Sequence, residues 1–121
     1  MSIRKILLVD DSPAQLVDLQ EAVSSIDAHI ITATNGKEAI AKARSEKPDI
    51  IFMDIVMDGL DGFGACREIT RDDETKNIPV IFVTSKNQRA DKIWAEKQGS
   101  KGMISKPYEA QEILDKVKLY A

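Results

Sequence analysis

The sequence predicts an α/β fold, a three-layer (βα)5 sandwich in which a five-stranded parallel sheet lies between helices. Three observations carry that prediction. Short strand-like runs recur at near-even intervals, at Ile6–Val9, Ile30–Thr34, Ile50–Met53, Val80–Val83 and Gly102–Ser105. The first, third and fourth are unbroken aliphatic, β-branched or aromatic runs, as expected of strands covered on both faces. Between successive runs lies a helical pattern, so the chain alternates strand and helix from end to end.

The first helix opens at Ser12 as N-cap, with Pro13 at the first helical position and Gln15 three residues past the cap. Its stripe of Leu16, Leu19, Val23 and Ile26 must face the sheet. A second helix opens at Asn35 with Glu38 three residues on, buries Ala39, Ile40 and Ala43, and is stopped by Lys47-Pro48 because proline drives the preceding residue out of helical geometry. A third spans Phe63 to Arg71 and carries the lone cysteine, Cys66, as a packing residue. A fourth spans Gln88 to Gln98 with Gly99 as a left-handed C-cap. Ala90 and Ile93 serve as its inward positions, and the pattern does not decide whether Trp94 is core or exposed. A fifth runs from Glu109 to Tyr120 with Ile113, Leu114 and Val117 inward. Arg71-Asp72-Asp73-Glu74 reads as a solvated loop and His29, just ahead of a strand, as a surface residue.

At 121 residues the chain is one domain in length, and residues 1–121 are read as a single unit with no separate output domain. A net charge of −3 gives no sign of the basic surface that DNA binding requires, so nucleic acid is not an expected partner. No apolar run approaches the ~18 residues of a membrane span. The start, Met1-Ser2-Ile3-Arg4-Lys5, leads into an apolar stretch too short for a secretion signal. A cytoplasmic monomer is expected, and a single cysteine suits a reducing compartment.

Parallel strands bring their carboxyl ends to one edge of a sheet, which places function at residues 10–12, 54–59, 84–86 and 105–107. That edge holds the acids Asp10, Asp11 and Asp54, the hydroxyl of Thr84 and the ammonium of Lys106. Any one of these alone is commonly a turn former or cap. Together they are not: adjacent Asp10 and Asp11 after an apolar strand are costly unless a cation or solvent accommodates them. Mg²⁺ is the natural cation, since it prefers hard oxygens and is held by one or two carboxylates. Asp11 and Asp54 are the expected direct ligands, with Asp10 acting through water or as an outer acid. Asp54 follows the central strand and is the expected nucleophile toward phosphorus. Thr84 can donate a hydrogen bond to one phosphoryl oxygen and Lys106 can pair with another. Pro107 rigidifies the turn after the last strand and can take the cis form.

With these residues placed, the chain resembles the receiver domain of two-component response regulators, the CheY-like family, over its whole length. The matching motifs are Leu8-Val9-Asp10-Asp11-Ser12, Met53-Asp54-Ile55-Val56-Met57, Val83-Thr84-Ser85 and Ser105-Lys106-Pro107. The resemblance implies a flavodoxin-like fold with strand order 2-1-3-4-5. It implies a phosphoryl group accepted at Asp54 from a histidine kinase, Mg²⁺ held at Asp10, Asp11, Asp54 and the Val56 carbonyl, and contacts to the phosphoryl group from Thr84 and Lys106. It also implies a downstream protein target. Asp58 stands where family members commonly have proline, and Met103 where they commonly have an aromatic residue. The stretches Ile78–Gln88, Asp91-Lys92-Ile93-Trp94 and Gln98-Gly99 look most like regulators of type IV pilus twitching motility, with links to chemotaxis. Activation is expected on the face of the fourth helix, fifth strand and fifth helix, with Trp94 and Met103 in the partner contact.

Two other readings share part of the pattern. A Mg²⁺-dependent aspartyl phosphohydrolase needs a second acid two residues after its nucleophile, but Val56 and Ser12 occupy those places. A phosphorylation-independent interaction module would have lost an acid, Thr84 or Lys106, and all are present. The chain is therefore read as a phosphoacceptor switch and not as an enzyme acting on a separate substrate.

Overall fold

The computed structural model describes residues 3–121; the reading of the Met1-Ser2 start lies outside the described residues. Ten elements alternate: β1 (Lys5–Val9), α1 (Pro13–Ala22), β2 (His29–Ala33), α2 (Gly36–Glu46), β3 (Ile50–Met53), α3 (Gly62–Arg71), β4 (Val80–Thr84), α4 (Arg89–Lys97), β5 (Gly102–Ser105) and α5 (Ala110–Leu119). The strands form one parallel sheet in the order β2-β1-β3-β4-β5. Fold class and strand order are as the sequence predicts.

Side chains alternate across a strand, so the continuous apolar runs feed two cores at once. Leu7, Val9, Ile51, Met53 and Phe82 pack on one face with Ala39 and Ala43 of α2, Cys66 and Ile69 of α3, and Ala95 of α4. Ile6, Leu8, Ile50, Phe52, Ile81, Val83 and Ile104 pack on the other with Leu16 and Leu19 of α1 and Ile113 and Val117 of α5. Fully burying a Phe52 or Phe82 is worth about 1.5–3 kcal/mol, against the roughly 1 kcal/mol span of strand propensity, so burial sets these runs. Phe63 meets Phe82 edge to face with ring centroids 5.7 Å apart, which seats α3 on the central strands.

Capping follows the sequence signals. Ser12 and Asn35 accept the backbone N–H of Gln15 and Glu38, at 3.3 and 2.8 Å. Lys47 ends α2 in the left-handed region, and Gly99 follows α4 with a positive φ. The Lys106–Pro107 peptide is cis. No helix among the described residues is long and apolar enough to cross a membrane.

The structure corrects some assignments. β2 starts at His29, which pairs with Lys5 and is exposed, and ends at Ala33, because Glu38 takes the Thr34 N–H at 2.6 Å. α1 stops at Ala22, so Ile26 packs against the core from the loop beyond it. In α4, Ala90 and Ile93 are exposed. The inward residues are Ala95, the buried residue within the helix, and the capping Gln98. Trp94 is 45% exposed, Met103 is half-buried, and Leu114 only partly turns inward.

Candidate functional site

Three side chains of the site are held one residue past the end of a strand. The backbone N–H groups of Asp10, Asp54 and Lys106 extend the ladders by donating to Ala33, Val9 and Thr84 carbonyls at 3.2, 3.0 and 3.0 Å. Because Val9 lies opposite Met53 in the register, Asp10 and Asp54 emerge side by side. Lys106 follows Ser105, which pairs with Thr84 at the end of β4.

The Lys106 ammonium lies between the two carboxylates, 2.8 Å from Asp10 Oδ2 and 3.1 Å from Asp54 Oδ2. The remaining oxygens are also bound: Asp10 Oδ1 accepts the Ser12 N–H at 2.9 Å and Asp54 Oδ1 the Ile55 N–H at 2.7 Å. Side-chain exposure is 2% for Asp10, 13% for Asp54 and 16% for Lys106. Burial alone pulls the ammonium's pKa down, but the hydrogen bonds and charges of Asp10 and Asp54 outweigh it, and the net shift is upward. The lysine therefore stays charged and offsets the mutual repulsion of the acids.

Thr84 is fully buried, and its Oγ1 accepts the Lys86 N–H at 3.1 Å, which fixes the rotamer and leaves the hydroxyl proton to donate elsewhere. Asp11 and Val56 are exposed at the rim. Among the described residues no three acidic, histidine or cysteine side chains converge closely enough to enclose a metal ion. The donor set nevertheless suits Mg²⁺, which needs few protein oxygens and keeps its waters: two hard-oxygen carboxylates already face a single cationic group, and Asp11, next to Asp10 in the chain, is exposed. Trp94 and Met103 lie away from this centre, Met103 in a groove of about 400 Å³ between α4 and β5.

Three features were not read from the sequence. A Cβ on Gly62, at the start of α3, would collide with the Asp54 carbonyl and fall 2.7 Å from Ile55 Cα, so only glycine lets α3 approach the loop that carries Asp54. Its N–H donates to Ile55 O at 2.8 Å. Tyr108 lines a groove of about 580 Å³ with Gln15, Asp18, Glu21 and Lys106. Burial, with Asp18 and Asp10 nearby, pushes its hydroxyl up to about 12. Gln98 is the third, buried where α4 meets α3. Tyr108 follows the Ser105-Lys106-Pro107 motif directly and Gln98 ends the fourth helical pattern, but nothing in one sequence marks these three as close approaches or buried groups.

A family model, that of the response regulator receiver domain, matches residues 6–118. Protein PilH of Pseudomonas aeruginosa is 44% identical over 110 residues, which is 91% of each chain. Protein PilG of the same organism is 33% identical over 116 residues, 96% of this chain and 86% of that one. Among solved structures, the receiver domain of a sensor histidine kinase from Pseudomonas aeruginosa has a magnesium ion coordinated in its active-site cleft. It superposes with a TM-score of 0.89 over 98% of both chains at 24% identity, a likeness of fold.

Proposed function

The chain belongs to the response regulator receiver domain family, and on that premise we propose that it is a switch turned on by phosphorylation of Asp54. Receiver domains take phosphoryl groups from histidine kinases and act on downstream targets; they are signalling switches and not ordinary enzymes. The observation that carries the reading is the Asp54 carboxylate at the end of the central strand, paired with an ammonium it shares with Asp10.

In the proposed transfer an Asp54 oxygen attacks the phosphorus of a phosphohistidine. The new O–P bond forms as the N–P bond breaks, and the imidazole leaves with the electron pair. Such transfers depend mainly on positioning and charge neutralisation. Lys106 supplies a charge-assisted donor and Thr84 a hydroxyl donor to the phosphoryl oxygens. Asp10, Asp11, Asp54 and the Val56 carbonyl would hold Mg²⁺, which supplies further charge neutralisation when bound; the magnesium ion in the cleft of the similar receiver structure supports a cation here, without naming its ligands.

Output is proposed to run through protein–protein contact by a cytoplasmic monomer, without nucleic acid, on the face of α4, β5 and α5 that presents Trp94 and Met103. Similarity to PilH and PilG, together with the motif likeness in residues 78–99, supports a place in type IV pilus or chemotaxis-like signalling. The test is intact mass after incubation with Mg²⁺ and acetyl phosphate. The expected result is one added phosphoryl group, lost in Asp54→Asn. Stoichiometric labelling of that variant would refute the reading.

A further inference from the structure

α4 is fastened unequally at its two ends, and the stronger fastening is polar. Gln98, which caps its C-terminus, is only 4% exposed although it is an amide. Three residues of α3 grip it. Arg67 Nε donates to its side-chain Oε1 at 2.7 Å, Thr70 Oγ1 donates to its backbone carbonyl at 2.8 Å, and Cys66 Sγ donates to the same carbonyl at 3.4 Å. Residues 66, 67 and 70 lie within one turn, so a single patch of α3 satisfies a carbonyl that a helix end would otherwise leave open. Gly99 closes the joint: with φ +94, it passes so near Thr70 that a Cβ would fall 2.8 Å from Oγ1.

The other end has little to hold it. Arg89, Ala90, Lys92, Ile93 and Trp94 are exposed, and Ala95 is the buried residue within the helix. What fastens the N-terminus is Asp91. One of its oxygens accepts the Gln88 N–H at 3.1 Å and the other pairs with Lys86 Nζ at 3.1 Å. Lys86 is also the residue whose N–H is bonded to Thr84 Oγ1. A change at Thr84 thus reaches the loosely packed end of α4 first, through a loop of four residues.

We propose that Gln98, gripped by Arg67, Thr70 and Cys66, is the fixed pivot about which α4 moves when the switch turns on. Displacement is then largest at Arg89–Ile93 and vanishes at Gln98–Gly99. Arg67 and Gln98 are positioning residues that convert a small movement at Thr84 into a tilt of the exposed Ile93–Trp94 surface. Segments with few buried contacts open most readily, which is what makes the N-terminal half the moving part.

The inference rests on the phosphoacceptor reading for its trigger, but the pivot can be tested without it. Amide hydrogen exchange on the unphosphorylated protein should show Gln98–Ser100 protected several-fold more than Lys92–Trp94. Arg67→Ala and Gln98→Leu, which remove the side-chain bond but leave those to the Gln98 carbonyl, should shrink that gradient, and Gln98→Glu, which keeps an acceptor for Arg67, should retain it. With acetyl phosphate and Mg²⁺, wild type should change exchange at 89–95 and not at 98–100, while in Arg67→Ala the change should spread to 100. A gradient unaffected by both disrupting variants would overturn the pivot. So would equal changes at both ends of wild-type α4 in protein whose mass shows a full phosphoryl group. Absence of that mass shift would instead count against Asp54 as acceptor, leaving the exchange gradient to decide the pivot.

Discussion

Replacing Lys106 by Met keeps the aliphatic stem and removes the charge that two buried acids share. The ion pairs are nearly dry, with 2% exposure at Asp10, 13% at Asp54 and 16% at Lys106, so the surface-pair value of about 0–1 kcal/mol does not apply. Breaking a buried pair by deleting one partner typically costs about 3–5 kcal/mol, and the residual exposure of Asp54 and Lys106 places this site near ~3. For a chain of this length each kcal/mol moves Tm by roughly 3–5 °C, so the expected fall is about 10 °C. The measurement is urea and thermal unfolding of wild type and Lys106→Met without metal, across pH. Lys106 is raised above its ordinary 10.5, so its contribution is fully present below pH 10.5 and fades as pH rises through the higher folded value. Wild type should therefore lose stability in alkali above 10.5, in a phase the variant lacks. Adding Asp10→Asn to Lys106→Met should recover part of the loss, because it removes the more buried of the two carboxylates left unpaired and with it their mutual repulsion. A loss under about 1 kcal/mol, or no recovery in the double variant, would refute the view that Lys106 offsets buried repulsion.

Gly62→Ala should cost about 1–3 kcal/mol by overpacking and slow phosphorylation by shifting the Asp54 backbone. Gly59→Ala, strained at φ +76 but with open space around it, should lose stability without slowing transfer; comparing labelling rates of the two variants separates the effects. Mg²⁺ should raise the Tm of wild type and fail to raise that of Asp11→Asn, and equal gains in the two melting series would remove Asp11 from the metal site. Trp94→Ala, which truncates an exposed aromatic, should weaken partner binding by ~2 kcal/mol, with a smaller loss for half-buried Met103→Ala and unchanged labelling of Asp54 in both. Titration calorimetry with the phosphorylated proteins checks this, and full-strength binding by both would take the α4–β5 surface out of the output.

The convergence of Asp10, Asp54, Thr84 and Lys106 was legible because these residues are placed by register. Each apolar run is short and unbroken, so its end is visible, and parallel pairing leaves little freedom in where those ends meet. Val9 beside Met53 dictates Asp10 beside Asp54, and Thr84 beside Ser105 dictates where Lys106 begins. The errors at strand ends have the same physical origin. β2 is an edge strand, and the N–H of Thr34 just past its end is claimed by Glu38, a side-chain competitor that the hydrophobic pattern does not register.

α4 shows where the pattern fails. Ala90, Ile93, Trp94 and Ala95 are spread around its circumference, so apolar periodicity offers more than one inward face. The face that wins is decided at Gln98 by donors from α3, about thirty residues earlier in the chain. Gly62 is hidden for a related reason, since the atoms that exclude a side chain there belong to the Asp54–Ile55 backbone. A close approach between backbones leaves no signature beyond the glycine itself, and a buried amide looks like any surface glutamine until its partners arrive. The chemical groups of this switch are thus set by strand register, whereas the parts that let it move and signal are set by contacts between helices. Substitutions at Asp54 or Lys106 should change whether the site works, and substitutions at Arg67 or Gln98 should change only how far its state is felt.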